Sequence, residues 1–366
     1  MQPHTPLTPL TQGPVHRIHV PGSGEAWLVV GWDVARGALT DPRLCNDIRY
    51  SASWESDGGH ALGRNMLQSD PPQHTRLRRL IAGHFSAGRI GALGPRVEEI
   101  AGELVAVLPR QGTVDIVGHY ALPLPVTVIC ELLGVPAEER DGFHAWSNEL
   151  VMPTSPEAAA AAGAALTACL TELTGRRGTL LGDLAGELDG EELLGMAFLL
   201  LVAGHETTVN LISATLHGLL SHPDQLALLR DDPGLTESAV EEALRHYSPV
   251  HTTTFRYAAE PLELAGVRIA AGDTVLVSLA EASRDPLRFP DPDRFDITRR
   301  TTGHLGFGHG LHHCLGAPLA RMEASIAVRL LLRHRPALAF ATDPAELTWR
   351  SSTLLRGLAE LPLRFG

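Results

Sequence analysis

The chain reads as a mainly α fold with small β-sheets, an α+β protein dominated by helices. Three observations carry this. Helical patterns follow one another from about Thr75 to Tyr247, short β-branched runs replace them after Pro249, and no repeat or low-complexity linker divides the 366 residues. The pieces read as one folding unit over residues 1–366, opened by an irregular, proline-rich segment over 1–24.

Trp27–Val30 suits a short strand. Helices are expected over Thr75–Phe85, Arg96–Leu108, Pro125–Leu133 and Glu157–Thr174, the last resting on its alanines rather than on an amphipathic pattern. The longest covers Glu191–Leu220, bounded by Asp189-Gly190 and His222-Pro223. Thr236 is placed to cap T-E-S-A-V-E-E-A-L-R-H-Y, which Pro249 ends. Leu262–Leu279 carries β-branched runs punctuated by Gly266 and Gly272, as in a hairpin sheet. D-P-L-R-F-P-D-P-D-R-F-D is a loop ruled by proline, Leu315–His334 is a final helix, and more strands are expected near Ala337–Ala341 and the C-terminus.

With 44% apolar and 20% charged residues, the chain has the balance of a globular protein with a large core. Its formal charge is −12 and its sequence contains no lysine, so an acidic chain without a basic tail argues against nucleic acid as the main partner. Cys45, Cys130, Cys169 and Cys314 are widely spaced and form no C-x-x-C, which reads as reduced thiols in an intracellular, cytoplasmic protein. The opening M-Q-P-H-T-P-L has neither the charged nor the apolar region of a signal peptide. Leu193–Ile212 is apolar enough to suggest a membrane span, but Gly204, His205 and Glu206 interrupt it. A buried carboxylate is costly in a bilayer, so a core helix and no membrane are expected.

Four short stretches could carry chemistry. G-F-G-H-G-L-H-H-C-L-G, Gly306–Gly316, brings together His309, His312, His313 and Cys314, all metal-ligand types. A structural zinc site needs a second spaced pair, which is missing, and a glycine-rich loop around a buried cysteine explains the stretch equally well. Position adds weight to the cysteine. It lies just before a strong helix whose dipole favours a thiolate, Gly308, Gly310 and Gly316 allow close approach, and Phe307 excludes water. A shielded axial thiolate is what haem iron uses to activate oxygen.

In A-G-H-E-T-T, Gly204 sits inside a helix at a cost of about 1 kcal/mol against alanine. Room for a ligand would justify it, with Glu206 and Thr207 passing protons to bound oxygen; a helix contact with one satisfied polar pair would serve as well. E-A-L-R sets Glu242 and Arg245 three apart, a spacing common on solvated faces. His74 and Arg78, four apart, would repel unless an anion lies between them or water surrounds them.

Together and in this order, the stretches resemble the bacterial soluble cytochrome P450s, haem-thiolate monooxygenases, from about Leu39 to the end. F-G-H-G-L-H-H-C-L-G is similar to the family's haem loop, A-G-H-E-T-T to its oxygen-activation motif and E-A-L-R to its E-x-x-R motif. P-D-R-F, Pro292–Phe295, resembles the loop whose arginine joins that pair. The resemblance implies the family's fold, a triangular prism of helices with a long central helix, and haem b (iron protoporphyrin IX) as cofactor. It implies Cys314 as axial ligand and His74, Arg78, Arg256 and His312 on the haem propionates. Ala203 and Gly204 would form a notch for dioxygen, and Phe307, Gly308 and Gly316 would lie against the haem. Glu206 and Thr207 would be the acid–alcohol pair, and Glu242, Arg245 and Arg294 a buried charge network.

The implied activity is hydroxylation, epoxidation or related tailoring of a small molecule, with a secondary metabolite as the expected substrate class. Peroxygenase, coupling P450 and non-catalytic haem carrier or sensor are the rivals. No flavin or nicotinamide fingerprint is present, so electrons are expected from a ferredoxin and its NAD(P)H-dependent reductase, docking near Arg76, Arg79 and Arg321. Substrate contacts are implied over Tyr50–Met66, Leu200–Thr207, Val250–Thr254 and Thr353–Leu355. Within these, Met66, Leu200, Val250, His251, Thr252, Thr253 and Leu354 are the candidate contacts, and the polar H-T-T-T hints at a substrate with oxygen or nitrogen functions. The chain departs from the family in a shortened region over Met152–Gly190, where a substrate lid is usual, and in Ser283, where asparagine is commoner.

Overall fold

The computed structural model describes residues 13–54, 64–151, 154–173 and 179–365. Residues 1–12, part of the expected Tyr50–Met66 contact loop and part of the shortened Met152–Gly190 region lie outside the described residues. The helices run α1 Trp32–Thr40, α2 Gln73–Ala82, α3 Ala87–Val107, α4 Pro123–Leu133, α5 Arg140–Val151, α6 Pro156–Leu173, α7 Leu180–Leu184 and α8 Gly190–Ser221. They continue as α9 Pro223–Asp231, α10 Thr236–Tyr247, α11 Leu279–Ala282 and α12 Ala317–His334. Two compact units form. One contains Met1–Trp54, Ala101–Ala121 and Thr207–Gly366; the other contains Glu55–Ile100 and Leu122–Glu206.

The first unit holds the sheets. β1 Val15–Val20 pairs antiparallel with β2 Gly24–Val29, correcting the expectation that residues 1–24 are irregular. The physical reason is that Arg17-Ile18-His19-Val20 alternates polar and apolar side chains, a half-buried strand pattern that the prolines before it mask. Next come β3 Leu44–Cys45, β4 Gly112–Asp115, β5 Arg256–Ala258, β6 Leu262–Leu264, β7 Val267–Ile269 and β8 Thr274–Val277. The main sheet has the order β1-β2-β8-β5-β3, with β2 parallel to β8. Leu28, Val29, Val275, Leu276 and Val277 are almost wholly buried. β6 and β7 form a two-residue hairpin at Ala265-Gly266, whose φ angles of 48° and 83° give the positive values such turns require. β9 Ala339–Phe340, β10 Trp349–Ser351, β11 Arg356–Leu358 and β12 Pro362–Phe365 complete two smaller sheets.

The second unit is helical. α3 begins nine residues earlier than expected because Pro95 and several glycines in A-G-R-I-G-A-L-G-P disguise its first turns. In the first unit, Thr236 is not the cap of α10 but its first helical residue, and its hydroxyl donates to the Pro233 carbonyl at 2.7 Å. α8 is the one described helix long and apolar enough to cross a membrane, and 72% of its apolar window is buried within the protein.

One carboxyl on α12 has no charge partner. Glu323 is 1% exposed, its Oε2 makes no hydrogen bond, and burial pushes its pKa up to about 8. The folded state therefore keeps a proton that the unfolded chain releases at its ordinary value of 4.5. This contribution is fully present below about pH 4.5 and is lost as pH rises towards 8. Glu323→Gln removes that loss, so the variant should match wild type near pH 4 and exceed it by about 2–4 kcal/mol at pH 8. Denaturation curves of both proteins across that range check this; parallel pH profiles would mean that Glu323 is ionised in the fold.

Candidate active site

The cysteine stretch folds as a tight loop feeding α12. Gly308 and Gly310 have φ of 71° and 72°, values that favour glycine, and the Cys314 N–H closes the loop on the Phe307 carbonyl at 2.9 Å. Gly316 is the N-cap of α12, so Cys314 stands three residues before the helix's first residue, Ala317. Among the four cysteines only Cys314 is exposed. Burial drives Cys130 and Cys169 up to about 12, out of reach of a thiolate at neutral pH.

Gly310 is not open to a ligand. A side-chain carbon there would meet Thr40 at 2.9 Å and the Leu39 carbonyl at 3.0 Å, so this glycine seats the loop on the end of α1. The histidines separate by surroundings. His309 Nε2 accepts from Arg36 Nε at 3.2 Å, and burial followed by the Arg36 charge lowers its pKa. His312 is half-buried at the end of a short turn over Gly310–His312, and His313 is exposed. Arg256 on β5 is 4% exposed with Nη1 3.5 Å from the Leu44 carbonyl.

A network not expected from sequence steadies Phe307. Arg321 lies over its ring at 4.4 Å and binds Glu241 at 2.6 and 3.0 Å. His304 Nδ1 accepts from the Gly306 N–H at 3.1 Å, which leaves its Nε2–H for Glu241 at 2.9 Å. Burial alone would raise the Glu241 carboxyl, but the bonds from His304 and Arg321 outweigh it and hold the pKa at about 2. The sequence carried a faint signal of this, since Glu241 adjoins the E-A-L-R motif and His304 the haem loop.

Beneath it lies the ion pair of α10. Glu242 and Arg245 have fully buried side chains and meet in a bidentate contact at 2.7 and 2.8 Å. Arg294 does not join them: its side chain is 63% exposed and its nearest carboxylate is Asp296 at 3.8 Å. The residue with that place is Arg299, 12% exposed and 3.5 Å from Glu242. The chain turns at Asp291, where φ is 49°, so residue 294 offers only its carbonyl to Arg245 while residue 299 returns to the carboxylate. Asp296 N–H also donates to Glu242 at 2.9 Å.

In the second unit, His74 on α2 is 1% exposed, and burial followed by the Arg78 charge lowers its pKa. The repulsion read from their spacing is therefore present, and a bound anion would relieve it. Arg76 is taken up by Glu192, as Arg321 is by Glu241, so of the three arginines expected to face an acidic partner only Arg79 is both exposed and outside these ion pairs. On α8, Glu206 is buried and Ala203 is exposed, although most of the helix is covered. Gly204 corrects the expected notch, because a side-chain carbon there would lie 2.9 Å from Ile129 Cδ1 and 3.0 Å from its Cγ1. Its missing side chain admits α4 rather than a ligand. Thr207, one turn on from Ala203, is half-buried.

The candidate substrate residues are differently placed than their polarity implies. Thr252 donates to Thr353 O at 2.8 Å, Thr253 Oγ1 accepts from Val277 N–H and Thr254 Oγ1 from Asn46, both at 3.2–3.3 Å. Thr252 thus spends its proton inside the protein, while Thr253 and Thr254, both half-buried, each accept one hydrogen bond there. His251 is 7% exposed, burial lowers its pKa to about 4, and its Nε2 is buried without a hydrogen bond. Val250 and Leu354 are half-buried, Leu200 is buried, and the Met66 N–H points at Met196 Sδ at 3.4 Å.

This donor set fits a haem. In the first unit, one accessible thiol precedes a helix N-terminus, and the Arg256 and His312 side chains suit carboxylates.

A sequence model of the family described as Cytochrome P450 matches residues 172–335. The chain is 51% identical to the cytochrome P450 monooxygenase PikC of Streptomyces venezuelae, over 97% of this chain and 88% of that one. It is 44% identical to the 6-deoxyerythronolide B hydroxylase of Saccharopolyspora erythraea, over 93% and 90%. Among solved structures it resembles the tirandamycin C-bound P450 monooxygenase TamI, with a TM-score of 0.89 and 44% identity, over 97% and 95%.

Proposed function

We infer the working parts of this chain from one premise: it belongs to the cytochrome P450 family and is a P450 monooxygenase. We propose that it hydroxylates or otherwise oxidatively tailors a small secondary metabolite, with dioxygen and with electrons from a ferredoxin and its reductase in the cytoplasm. The names of the relatives, a 6-deoxyerythronolide B hydroxylase and a tirandamycin C-bound monooxygenase, support that substrate class. The observation that carries the reading is Cys314: an exposed thiol in a glycine-bent loop, at the start of α12, in a chain whose other cysteines are buried.

The cofactor proposed is haem b, which when bound would supply dioxygen activation. Cys314 would hold the iron, the dipole of α12 favouring its ionised form. Arg256, His312, His74 and Arg78 would hold the two carboxylates, and Phe307, kept in place by Arg321, would shield the sulfur from water. Glu206 and Thr207, adjacent on α8, would hold and pass protons along that helix. Apolar side chains such as Leu200 would orient the substrate, together with the neutral His251.

Purified protein should give a thiolate-type red-shifted Soret band when reduced under carbon monoxide, and labelled dioxygen should place one labelled atom in product. Absence of haem would overturn the reading. Thr207→Ala should bind haem normally but divert reducing equivalents to hydrogen peroxide, raising NADPH consumed per product severalfold. Full coupling in that variant would remove Thr207 from proton delivery.

A further inference from the structure

We propose that His144, His205 and Glu206 form a binding site for a zinc-class divalent cation, and that its occupation inhibits turnover by engaging the Glu206 carboxylate. The inhibitory half rests on the role given to Glu206 above; the binding half does not.

The three side chains come from α5 and α8, and their ligand atoms lie within 4.8 Å of one another. One point therefore lies within about 2.8 Å of all three, 4.8 Å divided by √3. Zinc bonds to nitrogen and oxygen are about 2.0–2.2 Å, so each ligand needs to move in by well under about 1 Å.

The tautomer of His205 is already that of a ligand. Its Nδ1 lies 2.8 Å from the Leu201 carbonyl, which can only accept, so Nδ1 carries the proton. This is the outer contact that orients metal-binding imidazoles. Nε2 is buried without a hydrogen bond and stands 3.6 Å from Glu206 Oε1. That gap is too long for a hydrogen bond, but it is close to the roughly 3.4 Å between two ligand atoms of one tetrahedral zinc. A divalent cation placed between the imidazole Nε2 and the carboxylate would be attracted to both.

The His144 and His205 rings meet edge to face with centroids 5.7 Å apart. His144 is half-exposed while His205 and Glu206 are buried, so an ion would enter past His144. Two imidazoles and one carboxylate favour zinc, cobalt or nickel over magnesium or calcium, and three protein ligands leave a position for water.

Calorimetric titration of zinc chloride into the haem-loaded enzyme, in a non-chelating buffer, tests the site. His144→Ala is the informative variant because His144 has no part in the reaction, and its reduced-CO spectrum verifies its fold; His144→Gln replaces it if alanine does not fold. Wild type should bind one zinc, and the variant should bind it at least about tenfold more weakly. Zinc should suppress wild-type turnover, EDTA should restore it, and the variant should turn over normally and escape. With 18 histidines in the chain, surface binding is the competing account, and equal affinity in both proteins overturns the site. Zinc that binds as expected yet leaves wild-type turnover unchanged overturns the inhibitory half, and with it the role of Glu206.

Discussion

Cys314→Ser should lower turnover about a thousandfold or more, ~4 kcal/mol of barrier, and abolish the red-shifted Soret band of the reduced CO complex. A serine hydroxyl does not ionise near neutral pH, so the α12 dipole that favours a thiolate has nothing to stabilise. No other cysteine can substitute. Cys45 is buried, and Cys130 and Cys169 are buried and held up at about 12. The loop itself should survive, because its closure uses the Cys314 N–H, which serine keeps. Unchanged secondary structure by circular dichroism together with a lost Soret band would therefore assign the effect to the sulfur. A retained thiolate-type band in Cys314→Ser would remove Cys314 as ligand.

The chemistry was more legible than the packing around it. Residue type and spacing picked out Cys314, Glu242 with Arg245, and His74 with Arg78 as local patterns, but each kept a bland alternative until the family resemblance was added. What the sequence hid was set at long range. Arg294 and Arg299 are five residues apart in one irregular loop, and only the turn at Asp291 decides which faces Glu242. Gly204 and Gly310 both looked like room for a ligand, yet Ile129 and the end of α1 occupy that room. Thr252, Thr253 and Thr254 looked like a polar wall until their hydroxyls met distant groups. A side chain's chemistry can be read locally; its partner, 24 to 208 residues away for the threonines, cannot.

Glu242→Ala should destabilise the protein by about 3–5 kcal/mol, because it strands a buried cation. Arg245 is 0% exposed, and its N–H groups reach two Glu242 oxygens and the carbonyls of Ser283, Pro292 and Arg294, with His246 Nδ1 a further 3.5 Å from Nη2. Removing the carboxylate leaves two donors unmet and a charge without its counterion, and it also releases the Asp296 N–H. Arg245→Lys should fare little better, since three ammonium protons cannot replace a planar fork. Arg299 and Arg294 separate the observed network from the one expected from sequence. Arg299→Ala removes a 12%-exposed guanidinium 3.5 Å from Glu242, and that loss should cost about 1–2 kcal/mol. Arg294→Ala removes a side chain 63% exposed to water while its carbonyl still serves Arg245, so its cost should stay within about 0.5 kcal/mol. Urea denaturation of the four variants, with haem release followed in parallel, orders them. If Arg294→Ala proves the costlier of the two arginine changes, the geometry of the Asp291 turn is wrong and the buried pair has its third member at 294.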